Sequence, residues 1–189
     1  MHTASLKAGL KAVRAGKDYV NNGQRYERAI KHLTKAYDTL LVASPAPADQ
    51  SITLAKICLW KGIAHNENMN VSNPVTRNDP AIAEYAKGLA HLGCARNDAL
   101  RMSLYNSMAV AHHHRVGGGV PIDPAPSPQE SFRYYRRARA IFRNRVDKAD
   151  PTLADIMNKV ESNSGRSIQR GGFGFQPNLG FQVRNVVVS

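Results

Sequence analysis

The chain is short of cysteine, tryptophan, acidic residues and long apolar runs, and each shortage narrows what it can be. Only Cys58 and Cys94 occur. That is too few for a disulfide framework, and both fall in apolar helical stretches, so they read as buried free thiols of a reducing intracellular compartment. No run approaches the roughly 18 consecutive apolar residues that a membrane-spanning helix needs. Strand-type alternation is almost absent before residue 165, which leaves helix as the dominant element. Acids number 14 against 26 lysines and arginines, a formal charge of +12. Such an excess opposes compaction by self-repulsion and attracts polyanions: nucleic acid, an acidic protein surface or an anionic membrane. No nucleophile–base pair and no metal-ligand spacing is legible, so neither catalytic residues nor a metal or cofactor is expected.

What the chain does have is a repeated pairing of large and small residues. In 189 residues, 42% of them apolar, there is material for a core of ordinary size. Three times a tyrosine is followed three positions later by a small residue: Tyr26/Ala29, Tyr85/Gly88 and Tyr135/Ala138. Apolar residues continue each pattern at helical spacing: Ile30, Leu33 and Ala36; Leu89, Leu92 and Ala95; Ile141 and Phe142. Large-against-small contacts let helices approach closely, so the recurrence predicts one packing unit used three times, as in stacked helical hairpins.

Punctuation divides the chain. Pro45 and Pro47 close a first helical pair, Asn73-Pro74 and Asp79-Pro80 bracket a loop, and Gly117 to Pro128 form a long connector. Asp79, Ser127 and Asp150 each precede a proline, the arrangement that starts a helix, and Ser127 with Glu130 forms a capping box. Helices are predicted at 4–21, 24–42, 50–69, 80–93, 96–115, 128–146 and 151–162. The first contains Lys7, Lys11, Arg14 and Lys17 with Leu6, Leu10 and Val13 on one face. This suits the first helix of the fold or a basic arm better than an organelle-targeting segment, which would be richer in serine and arginine. Trp60 and Met108 are expected in the core. The organisation that follows is a helical domain over 1–163 and an extended, Gly/aromatic, β-prone tail over 164–189.

The first pair resembles a tetratricopeptide repeat, with Gly16, Tyr19 and Gly23 in the first helix and its turn and Tyr26, Ala29, Ile30, Leu33 and Ala36 in the second. Trp60, Ile63 and Ala64 with Tyr85, Gly88, Leu89, Leu92 and Ala95 form a looser second unit. Tyr105, Met108 and Ala109 with Tyr135, Ala138 and Phe142 form a third. The repeated tyrosines lie 59 and 50 residues apart, against a period of roughly 34 in that family; the excess is assigned to loops at 70–80 and 116–127. The resemblance implies an all-α fold of stacked antiparallel hairpins, a tetratricopeptide-like α-solenoid. It also implies protein–protein binding through a concave surface.

The helix beginning at Ser127-Pro128 carries the main candidate site. Tyr134, Tyr135, Ala138, Ile141 and Phe142 share one side; Arg133, Arg136, Arg137, Arg139 and Arg143 take the other. A row of guanidinium groups offers forked donors that remain charged, which suits phosphate. The alternative is a solvated outer face; the basic balance of the whole chain favours polyanion binding. Arg166 and Arg170 add charge in the tail, where Arg170-Gly171-Gly172-Phe173 can contact RNA by charge and stacking, or anchor on a neighbouring subunit. His112, His113 and His114 are adjacent along a helix, about 100° apart, and cannot converge on one metal ion unaided. Gly117-Gly118-Gly119 follows a helix and lacks the Lys-Ser/Thr of a phosphate loop.

The expected function is therefore a non-catalytic helical-repeat adaptor or structural subunit of a larger assembly, binding protein partners and a polyanion such as RNA, with self-association open. The competing expectation is a viral or phage-like coat protein or nucleoprotein, in which terminal arms clamp neighbours on nucleic acid.

Overall fold

A computed structural model describes residues 2–22, 25–42, 48–68, 74–116, 128–144 and 150–170. Among these, every regular element is a helix: α1 (His2–Asn21), α2 (Tyr26–Val42), α3 (Ala48–Glu67), α4 (Pro74–Leu92), α5 (Asp98–Val116), α6 (Pro128–Arg143) and α7 (Pro151–Arg170). They fall into two compact units, residues 1–97 and 98–189. The expected turn at Gly23, the Pro45 and Pro47 stop, the Gly117–Ser127 connector and the tail segment beyond Arg170 lie outside the described residues.

In the first unit α3 is the central element, packed against α1, α2 and most extensively α4. A helix enclosed on several sides needs apolar residues around its circumference. Leu54, Ile57, Cys58, Leu59, Trp60, Ile63 and Ala64 supply them, all buried. Close approach comes from glycine. A Cβ built at Gly16 would stand 2.7 Å from the Leu33 side chain, so α1 and α2 meet where one of them has no side chain. Gly9 makes the same concession to Leu40, and Gly62 of α3 to the ring of Tyr85 on α4. Large-against-small packing is thus real, but its pairs lie between helices. Ala29, Tyr85, Gly88, Tyr135 and Ala138 are buried, whereas Tyr26 at the head of α2 is only partly covered.

In the second unit α5, α6 and α7 each pack on the other two. Met102 and Ala109 of α5, Tyr135 and Ala138 of α6, and Leu153, Ile156 and Val160 of α7 form its core, flanked by Phe132, Tyr134, Ile141 and Phe142. The buried Ser131 hydroxyl donates to the Ala109 carbonyl at 2.9 Å, fastening α6 to α5. At the head of α7, Asp150 Oδ1 accepts from the Thr152 amide at 2.9 Å, the cap expected from Asp150-Pro151. Trp60 and Met108 are buried as expected.

Three expectations are corrected. The segment 74–79 is not loop: α4 starts at Pro74 and carries Pro80 inside it. Asn73-Pro74 gives the same starting signal as Asp79-Pro80, and a proline early in a helix forfeits only one amide hydrogen bond. The extra length between repeated tyrosines therefore lies partly in helices, since α3 and α4 have 20 and 19 residues. The second correction concerns 164–170, which continue α7 to Arg170. Ser164 is buried and donates to the Glu161 carbonyl, and Asn163 donates to Asn106 of α5 at 3.2 Å. Those contacts outweigh the cost of about 1 kcal/mol for Gly165 in a helix. Third, Cys94 is exposed while Cys58 is buried. Gly93, at φ 43°, ends α4 in the left-handed conformation and turns Cys94 out of the helix.

Candidate polyanion-binding face

The arginines of α6 do not form one uniform row. Arg133, Arg136, Arg137 and Arg143 are exposed, whereas Arg139 lies at the border of the packed side. Arg139 Nε donates to Glu161 Oε1 at 2.8 Å, and its Nη2 donates to Glu161 Oε2 at 2.5 Å and Ser164 Oγ at 2.6 Å. That fork ties α6 to α7 and leaves Arg139 little capacity for a ligand. Arg133 meets Glu130 at 3.5 Å in an exposed contact, the kind worth about 0–1 kcal/mol and easily exchanged. Arg136, Arg137 and Arg143 form no ion pair among the described residues. Arg133, Arg136 and Arg137 line a shallow open groove of about 560 Å³ with Gln129, Glu130 and Ala140.

Arg137 is held by aromatic rings rather than by an acid. Its guanidinium carbon lies 5.4 Å from the Tyr134 ring centroid and 5.8 Å from that of Tyr105 on α5. Tyr134 stacks on Tyr105 at 6.1 Å and 27°, and on His112 at 5.3 Å and 17°. All three rings are partly exposed. A guanidinium over an aromatic ring remains charged and still has N–H donors to offer an anion. This grouping is absent from the sequence-based site. Its one legible trace is that Tyr105 and His112, seven positions apart, share a helix face. The His112–His114 run supplies a stacking ring, and no group of three metal-ligating side chains occurs among the described residues. Arg166 and Arg170 lie on the last turns of α7, with side chains outside the described set. Lys7 and Lys11 belong to α1.

The polar cluster that sequence reasoning did not anticipate is in the first unit. Lys61 of α3 and Glu84 of α4 pair at 3.1 Å with side chains 9% exposed, and Lys87 reaches the same oxygen at 3.1 Å. Burial first, then the Glu84 carboxylate, pushes the nearby Cys58 thiol up to about 12. The thiol therefore stays protonated and is a poor nucleophile. Tyr37 bonds to His91 across 2.8 Å. Burial holds His91 and His65 below the ordinary imidazole value, so both are neutral at pH 7.

The α6 face assignment gives a direct test. Ala138→Leu puts three carbons into a fully buried position and should cost about 1–3 kcal/mol. Arg139→Leu removes a partly exposed pair worth about 0–1 kcal/mol. Thermal melting should rank Ala138→Leu clearly below Arg139→Leu; equal melting temperatures would contradict the assignment.

Comparison of the chain with models of known protein families, with curated proteins and with solved structures finds no match. No helix among the described residues is long and apolar enough to cross a membrane.

Proposed function

We propose that this chain is a non-catalytic, tetratricopeptide-like adaptor or structural subunit that holds protein partners and binds a polyanion such as RNA along α6. The groove lined by Arg133, Arg136 and Arg137 carries this reading. It places arginines side by side, two of them without an ion pair among the described residues, on a chain of net charge +12. Closely spaced positive charges on a rigid helix match the closely spaced charges of a phosphate backbone, and binding gains from release of condensed counterions. The adaptor part rests on the packing. In each unit the first helix touches the next two, α1 with α2 and α3, and α5 with α6 and α7. Such local contacts are how helical hairpins stack in repeat proteins.

The test is the salt dependence of binding to protein-free RNA. For single strands the logarithmic slope is about −0.7 per neutralised phosphate, so changing Arg133, Arg136, Arg137 and Arg143 to Gln should flatten it by up to roughly 3. The fold should persist, since all four side chains are exposed. A folded quadruple variant with an unchanged slope would make this face a solvated surface.

A further inference from the structure

We infer that the polyanion bound at α6 is single-stranded nucleic acid, held by stacking of its bases on the Tyr134–Tyr105–His112 rings as well as by its phosphates; this rests on the proposed polyanion role of the groove. The observation is a juxtaposition. Arg137 lines the groove with Arg133 and Arg136, and the same guanidinium lies over Tyr134 and Tyr105. A charge site and a π-surface therefore adjoin within one side chain's reach. Sulfated polymers supply anions without flat rings, and an acidic protein surface does not set a flat ring beside every charge. A duplex supplies phosphates but keeps its bases stacked inside. An unpaired strand presents both, with each base next to its own phosphate.

The rings are suited to the task. Tyr134 lies within 27° of parallel to Tyr105 and within 17° of parallel to His112. Tyr134 also packs against the second-unit core, with Tyr105 beside it. The column is therefore ordered before a ligand arrives, and a base joining its partly exposed side loses only its own freedom. Stacking on aromatic side chains accepts any base, because every base has a π-face, so the strand is bound with little sequence preference.

The experiment uses the full chain and three probes at one salt concentration: a short mixed-sequence RNA strand, the same strand annealed into a duplex, and an abasic ribose-phosphate strand of equal length. The single strand should bind the unaltered protein about five- to hundredfold more tightly than the abasic strand, the gain expected from stacking one base. Tyr134→Leu should remove that advantage, so that the RNA and abasic strands bind alike, and Tyr134→Phe should retain it. Equal binding of the RNA and abasic strands by the unaltered protein overturns the stacking inference alone, and needs no variant to fold. A duplex bound as tightly as the single strand does the same. Failure to bind any of the three overturns the polyanion reading of the groove as well.

Discussion

Glu84→Ala should cost about 3–5 kcal/mol, read as a fall in the urea midpoint of the first unit. The carboxylate is nearly buried and shared by Lys61 and Lys87, and the Lys61 side chain is only 9% exposed. Removing Glu84 strands the Lys61 ammonium in a low-dielectric site, where the nearest described compensation is the Tyr37 ring at 5.6 Å. The cost is that of an uncompensated buried charge, and it does not measure the worth of the pair. The double change Lys61→Met with Glu84→Leu fills similar volume without charge and should recover most or all of the loss, because apolar replacement of buried pairs is often neutral or stabilising. A thermally silent Glu84→Ala would mean that water reaches the pair.

Tyr85→Ala should be of similar size, about 3–5 kcal/mol by analogy with other aromatic truncations in cores, since the Tyr85 side chain is 1% exposed. Its contact with Gly62 gives a sharper result. In an ordinary helix Gly→Ala gains about 1 kcal/mol of propensity. In the unaltered protein a Cβ at Gly62 would overlap the Tyr85 ring, so Gly62→Ala should destabilise. In the Tyr85→Ala background the ring is gone, and Gly62→Ala should then stabilise. The sign reversal, measured by denaturant unfolding of the four proteins, isolates the contact in a double-mutant cycle. Additive effects would place the α3–α4 approach elsewhere.

Two contacts of the first unit, Lys61–Glu84 and Gly62–Tyr85, were not legible as pairs. Each joins α3 to α4 across more than twenty residues of chain, and only the alignment of the two helices decides which side chains meet. Tyr85 itself was legible as a core position through its helical spacing; its partner was not. The same holds for Arg139. Periodicity sets it on the polar side of α6, and the acid that binds it, Glu161, comes from α7. Its withdrawal leaves Arg133, Arg136 and Arg137 as the groove.

By itself the sequence determined the all-helical class, the near position of most helix ends, the apolar side of α6 and the exposure of its other arginines. These follow from apolar spacing and from Pro and Gly placement, which act within a turn or two of helix. Tertiary structure decided where competing local signals stood. It started α4 at Pro74 rather than Pro80, and carried α7 past Gly165 to Arg170 on the contacts of Asn163 and Ser164. It also gathered Tyr105, His112, Tyr134 and Arg137 into one stack from two helices. A helix-start signal or a glycine shifts the local balance by about 1 kcal/mol. Packing against a neighbouring helix contributes more than that, and its partners are fixed by three-dimensional alignment that no local pattern encodes.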